Sequence, residues 1–490
     1  MAGRHRIGRF ARLAAGAAAI VALAACRAFA AHDPRDYRPP QFPDADNHLK
    51  VPFLVPEREW ERIDIYVPKN VPGERLPCIV LIYGGGWGGK VTHGADEMRA
   101  LLARGYVVAL PDYVLGAANP VPSAVWDGAA AIRFLRAKAA AYRLDPERIG
   151  AWGLSAGGWL IQYLAPSDSS TVLALQPRGG RAAVHVPMLE PRPLYADQSA
   201  KVQALVSDWG AGRLAEKQVL GCPAWITGDD PPLHTCHNDP GGAIPPGPQR
   251  LIDVGVPVEV ALVDTKNTHV PSPSRTSARA AHGGTITYRQ SIHRFLDRFV
   301  KDPKDATPPE MFPQGGPIAG PTRVAIRSVH AGAAIRFTTD GTDPTAASPA
   351  YREPVAVQPG DTLKAIAVKP GLKPSRAAAA VFTRASAAAP VITTPERALA
   401  ARRGVPFSFT FQARSALPVE WYILGKTALS RVPNTNPPRP APWVAMDPAS
   451  GTLSGTPDAA GVCPIIVVAN ARDGQAVLWD AVAVVVTVGE

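Results

Sequence analysis

Two kinds of apolar pattern take turns between residues 60 and 300. Trp60–Val67 alternates polar and apolar side chains with period two, which predicts a strand with one wetted face. Cys78–Tyr83 is apolar at every position, as a central strand covered on both faces must be. A short helix is expected over Met98–Arg104, a strand over Tyr106–Leu110, and a long alanine-rich amphipathic helix over Ser123–Tyr142. Arg148–Leu154 reads as the next strand, with further strands at Val202–Val206, Pro232–Cys236 and Val258–Val263. A closing helix spans Tyr288–Val300, with Ile292, Phe295, Leu296 and Phe299 on one stripe. Strand and helix in this rhythm imply right-handed crossovers and a mostly parallel sheet covered on both sides.

The rhythm ends in a proline- and glycine-rich linker, 303–320, beyond which short period-two runs are separated by turn residues. A second breaker at 385–390 divides this tail. The expected organisation is an α/β domain over 48–302, preceded by an extended lead-in at 31–47, and two small all-β sandwiches over 321–384 and 391–490. At 490 residues, two to four domains are in any case expected.

The first thirty residues contain five arginines, no acid, and an apolar run from Leu13 to Ala25. This is the pattern of an export signal. Ala28-Phe29-Ala30 fits release of a soluble protein, whereas Leu23-Ala24-Ala25-Cys26 resembles a bacterial lipoprotein box in which Cys26 would carry a lipid anchor. Either implies a secreted or cell-envelope location. Subtracting those five arginines from the formal charge of +11 leaves +6, too dilute over the remaining chain to imply nucleic acid. Cys78, Cys222, Cys236 and Cys463 match no zinc spacing, and only Cys222 with Cys236 invites a disulfide. No metal and no cofactor is expected. His234 and His237 read as surface or strand-end residues.

Candidate chemistry centres on Gly153-Leu154-Ser155-Ala156-Gly157, where an apolar strand runs into a glycine-flanked turn and then into helical sequence. Such a corner lifts a serine hydroxyl above the sheet edge and turns the next amide toward the place where an oxyanion forms. A serine needs a base to take its proton, and the base needs a carboxylate to fix its tautomer. His269 follows the strand Val258–Val263, with His282 as its rival. Asp239 follows the strand before that, with Asp230 in reserve. The glycines after Tyr83 allow a backbone path that turns amides toward the nucleophile, so Gly85, Gly86 and Ala156 are the oxyanion candidates. Trp87, Trp159 and Trp209 are candidates to line an acyl or sugar pocket, against a plain packing role for each.

Tyr83-Gly84-Gly85-Gly86-Trp87 resembles the HGGGW oxyanion loop, and Gly153-Leu154-Ser155-Ala156-Gly157-Gly158 the GxSAGG elbow, of α/β-hydrolase-fold esterases. The resemblance is to the hormone-sensitive-lipase-like family and to bacterial feruloyl and acetyl-xylan esterases. It extends through Pro111-Asp112-Tyr113, Leu144–Ile149 and Asp229-Asp230-Pro231-Pro232. It implies an α/β-hydrolase fold and a Ser155, Asp239, His269 triad acting on ester substrates. It departs at Tyr83, which replaces a loop-bracing histidine, and at Thr235–Asp239, which keeps only the aspartate of H-G-x-x-D. In the tail, Ala334–Thr345 with Leu363–Gly371 resembles the C-terminal β-sandwich of chitobiases and hexosaminidases, and Gly451–Pro457 resembles bacterial Ig-like domains. Taken together these imply an exported carboxylesterase acting on acetyl or feruloyl esters of plant or algal polysaccharide. An oligopeptidase, or a non-catalytic surface or carbohydrate-binding protein built on a decayed hydrolase domain, are the alternative readings.

Overall fold

The computed structural model describes residues 37–54, 62–86, 89–113, 115, 123–164, 172–175, 184–187, 195–208, 219–220, 227–238, 246–263, 277–279, 285–396, 398–424, 443–473 and 476–490. The first strands are β1 (Ala45–Pro52), β2 (Arg62–Pro68), β3 (Leu76–Ile82), β4 (Val107–Pro111) and β5 (Leu144–Leu154). Helix α1 (Ala95–Ala103) joins β3 to β4, and α2 (Ser123–Ala137) precedes β5. After β5 come α3 (Ala156–Leu164), β6 (Val172–Leu175), β7 (Val184–Pro187), β8 (Ala204–Asp208), β9 (Val219–Leu220), β10 (Leu233–Asn238), α4 (Pro246–Asp253) and β11 (Val258–Val263). The hairpin β12 (Ser277–Arg279) and β13 (Thr285–Thr287) leads into α5 (Tyr288–Leu296).

Ten of these strands form one sheet in the order β1-β2-β4-β3-β5-β8-β10-β11-β12-β13. From β4 to β11 every neighbouring pair is parallel, and antiparallel strands close both flanks. The fully apolar β3 lies inside this parallel core, with all seven residues buried. One face packs on α2 and α3 through residues such as Val80, Ala151, Ile132 and Leu160. The other packs on α1 and α5 through Ile79, Trp152, Leu101 and Phe295. Alternate residues of each strand supply the two faces, which is why β3 and the second half of β5, from Ile149, have no polar side. α5 is secured at its start by a capping box between Thr287 and Gln290, and a single π turn, Asp297–Lys301, ends it.

The differences from the sequence pattern have simple causes. The stretch Ser123–Tyr142 is broken at Lys138 into α2 and a separate 3-10 turn, Ala139–Tyr142, because nothing in alanine-rich periodicity marks a helix stop. β1 is missing from the sequence reading because its residues are mostly half-exposed and polar, as an edge strand's are. Within 303–320 the segments Glu310–Phe312 and Gly316–Ile318 pair with strands Thr322–Arg327 and Ala378–Arg384 of the tail's first unit. Proline and glycine there mark edge pairing as well as a boundary.

The tail is all-β, with two separate cores. One is built on Val324, Leu363, Ala365 and Phe382, the other on Phe411, Leu453, Val467 and Val484. The first unit grips the end of the sheet where parallel strands begin. Glu147, early in β5, accepts from Ala331 N–H at 2.8 Å and from Lys369 Nζ at 3.3 Å. It is also 2.9 Å from His330 Nδ1. His330 Nε2 accepts the Thr307 amide at 2.8 Å, so Nδ1 carries the proton that is donated to Glu147. Arg376 donates to the carbonyls of Gly228 and Asp230. The last unit turns a second apolar face outward, and its Tyr422, Val468, Trp479 and Ala481 join the core of the α/β domain.

Glu147 is the hub of that contact. Burial works against its charge, yet the hydrogen bond from His330, the Ala331 amide and the Lys369 ammonium outweigh it and hold the carboxyl below its usual range. A lowered carboxyl contributes stability that is present above its unfolded pKa and is lost as pH falls through the folded one. Glu147→Gln is therefore expected to lower Tm near neutral pH, with the gap to wild type closing below about pH 4. Calorimetry across that range checks it, and equal Tm values at pH 7 would remove Glu147 from the interface account.

Candidate active site

The C-terminal ends of β3, β5 and β8 meet at one edge of the sheet. Ser155 follows β5 directly, with φ at 52°, a left-handed backbone conformation that serine rarely adopts. Its N–H donates to the Asp208 carbonyl at 2.7 Å, and its own carbonyl accepts the Trp159 amide at 2.9 Å. The chain thus enters the corner tied to β8 and leaves it as the first turn of α3. Register places Leu154 opposite Asp208 and Ile82 opposite Gly153, so the Ser155 turn and the glycine loop stand side by side.

How tightly they stand is measured at Gly157. A Cβ there would lie 2.2 Å from the Ile82 carbonyl oxygen and 2.5 Å from that of Tyr83. Only glycine lets α3 approach β3 this closely. From the other side, a Cβ on Gly84 would sit 3.0 Å from Ser155 Cβ. The glycine loop therefore comes up against Ser155 itself. Gly85 and Gly86 have φ of 120° and 61°, and the loop returns so that Gly84 and Val91 exchange backbone hydrogen bonds at 2.9 and 3.1 Å. Gly85, Gly86 and Ala156 are thereby brought to the same edge as Ser155.

Tyr83 performs the bracing that its histidine counterpart would. Its ring stacks on Tyr113 with centroids 4.4 Å apart. Tyr113 Oη donates to the Tyr83 carbonyl at 3.0 Å, and Tyr83 Oη donates to the Tyr113 carbonyl at 3.3 Å. Lys90, on the returning limb, lies 5.1 Å from the Tyr83 ring centroid and 4.2 Å from that of Tyr37, and pairs with Asp112 at 2.7 Å. A buried ammonium held by a carboxylate and two aromatic faces fixes the limb in place.

The other sequence candidates divide. Asp239, His269, Trp87, Trp209, His282 and Cys222, and the side chains of Cys236 and His237, lie outside the described residues. β10 ends at Asn238 and β11 at Val263, both at the edge that holds Ser155. Asp230 is a correction. It precedes β10, accepts the Thr227 amide at 2.9 Å, and sits at the opposite edge of the sheet, roughly 20 Å of strand away from the Ser155 level. A carboxyl there cannot orient a base beside Ser155. His234 is a second correction, because its side chain is wholly buried and its Nε2 lies 2.8 Å from Ser291 Oγ on α5. Trp159 is buried at 8% exposure in the core beneath α3. Sequence reasoning missed Asp208 and Trp152, whose side chains are linked at 2.8 Å directly below the elbow. The signal available was an aspartate ending a fully buried strand, Ala204–Asp208, that is apolar over its first three residues. No group of three or more metal-ligating side chains occurs among the described residues.

Residues 63–216 match the family model BD-FAE. Over those residues the chain is similar to esterases, and its mostly parallel sheet is that of an α/β-hydrolase fold. Residues 313–379 match the chitobiase/beta-hexosaminidase C-terminal domain. Among curated proteins, carboxylesterase NlhH of Mycobacterium tuberculosis is 36% identical over 105 residues, 21% of this chain and 33% of that protein. Esterase LipI of the same species is 29% identical over 194 residues, 39% of this chain and 56% of that protein. The chain spans about a third of the length of the first curated relatives it matches. Among solved structures, a truncated carbohydrate esterase from gut microbiota is 19% identical with a TM-score of 0.43, covering 54% of this chain and all of that one.

Proposed function

We propose that the chain is an exported serine carboxylesterase hydrolysing acetyl or feruloyl esters on polysaccharide. The observation that carries this reading is the left-handed Ser155 held against the glycine loop, where a Cβ on Gly84 would lie 3.0 Å from Ser155 Cβ. In the reaction, His269 takes the Ser155 hydroxyl proton as the oxygen attacks the ester carbonyl carbon. Asp239 fixes the imidazole, and the amides of Ala156 and the Gly85-Gly86 segment receive the negative charge on the carbonyl oxygen. The bond to the alcohol breaks, the departing oxygen takes the proton from His269, and water repeats the sequence on the acyl-enzyme.

Two features favour a polymeric substrate outside the cell. The chain joins the α/β domain to a unit of the chitobiase/beta-hexosaminidase type, and that unit is anchored through Glu147 at the edge remote from Ser155. The arginine-bearing apolar N-terminus favours export, with Cys26 the site of any lipid anchor. Purified protein is expected to release p-nitrophenol from p-nitrophenyl acetate and ferulate from methyl ferulate, and to leave p-nitroacetanilide intact. Acetate release from acetylated xylan then separates polymer from small-ester activity. Cleavage of the anilide at a comparable rate would favour an amidase instead.

A further inference from the structure

β8 ends in a carboxyl that the reaction as proposed does not use. Asp208 is 1% exposed and lies opposite Leu154, one strand away from the nucleophile corner. It holds that corner at two points. Its carbonyl accepts the Ser155 amide at 2.7 Å, and its Oδ2 accepts Trp152 Nε1–H at 2.8 Å. Its Oδ1 is buried without a hydrogen-bond partner.

The groups facing it offer no compensating charge. On α1, Glu97 is committed to His293 and Arg289 of α5, each at 2.8 Å. Before α1, the His93 ring lies edge-on to Trp152 at 4.9 Å, with both ring nitrogens buried and unpartnered. On β10, His234 points to the same face and is bound to Ser291 of α5. Among the described residues no ion pair reaches Asp208. A bare carboxylate in such a place costs several kcal/mol or takes up a proton.

We propose that Asp208 is a positioning residue of the esterase reaction, acting as an uncharged carboxylic acid that ties β8 to the nucleophile corner without placing an anion beside Ser155. Burial, reinforced by Glu97 and only partly offset by the Trp152 N–H, pushes its carboxyl up to about 8. Burial likewise pushes His93 down to about 4 and His234 to about 3, so neither is a cation at neutral pH. Deprotonation of Asp208 then sets a negative charge one strand from the site where the tetrahedral intermediate develops its own. The sign for stability follows. The unfolded chain ionises near pH 4 and the folded one near 8, so folding takes up a proton, and stability falls as pH rises through that interval.

The inference rests on the esterase reading, and its test has a second readout that does not. Rates on p-nitrophenyl acetate from pH 6 to 10, corrected for spontaneous hydrolysis, are expected to show a wild-type alkaline decline with a midpoint near 8. Asp208→Asn keeps an acceptor for Trp152 and removes the ionisation. It should stay within about threefold of wild type at pH 7, lose the decline, and melt at a higher temperature than wild type at pH 7. Asp208→Ala, which lacks the acceptor, should lose at least about tenfold in kcat with KM little changed. A decline that persists in Asp208→Asn overturns the proposal. So does a loss of about a hundredfold in that variant at pH 7, because the site would then need the carboxylate. If the wild type hydrolyses no ester, the function proposed above fails by itself. The melting comparison still reads whether Asp208 is uncharged, and an Asn variant that melts lower than wild type contradicts it.

Discussion

Ser155→Ala is expected to lower ester turnover by roughly 10⁴- to 10⁶-fold while leaving Tm within a few degrees of wild type. The hydroxyl forms the acyl bond, so its removal leaves only binding and oxyanion stabilisation. Those retain a residual rate about 10³-fold above water in serine hydrolases that have lost the nucleophile. The fold should survive because the interactions shaping the corner are made by backbone. The Ser155 amide bonds to Asp208, its carbonyl to Trp159, and the glycines on either side need no serine. Alanine at φ 52° adds no more strain than serine already carries.

Gly157→Ala is expected to cost both activity and stability. The new Cβ would meet two backbone oxygens, Ile82 and Tyr83, well inside van der Waals distance. Neither can rotate away, since Ile82 ends β3 and Tyr83 begins the glycine loop that follows it. The start of α3 must therefore withdraw from β3, taking Ala156 and its amide out of line with Gly85 and Gly86. Overpacking of this kind costs about 1–3 kcal/mol of stability. Misplacing one oxyanion donor costs about 10²- to 10³-fold in kcat. Gly86→Ala is the contrasting variant, because open space surrounds its Cβ position and its φ of 61° carries only a modest penalty of about 1–2 kcal/mol. Equal losses in the two variants would show that the close approach at Gly157 is not what sets the oxyanion geometry.

What the chain reveals of itself follows the physics of each pattern. Central strands were legible because burial on both faces forces continuous apolar runs, and Val258–Val263 agrees in sequence and structure to the residue. Ser155 and the glycine loop were legible because close backbone approach leaves glycine as the only choice, a constraint that writes itself into sequence. Edge strands such as β1 carry no such constraint. Asp230 misled because spacing along the chain does not say which end of a strand a residue occupies, and parallel strands put beginnings and ends at opposite edges. Asp208 was invisible for a different reason. Its significance lies in a partner on the neighbouring strand, Trp152, and in the lack of a compensating cation beside it among the described residues, neither of which periodicity records. Likewise Tyr83 reads as a lost histidine until Tyr113, thirty residues on, is seen stacked against it.

The central claim is that Ser155 is a nucleophile primed by its place between the elbow and the glycine loop. Covalent labelling with a fluorophosphonate tests it most directly, because the reagent reacts with an activated serine and needs no knowledge of the natural substrate. One adduct per chain is expected by intact mass, located by peptide mapping on the segment containing Ser155 and absent from Ser155→Ala. An unlabelled wild-type protein, or an adduct that persists in the variant, would contradict the account.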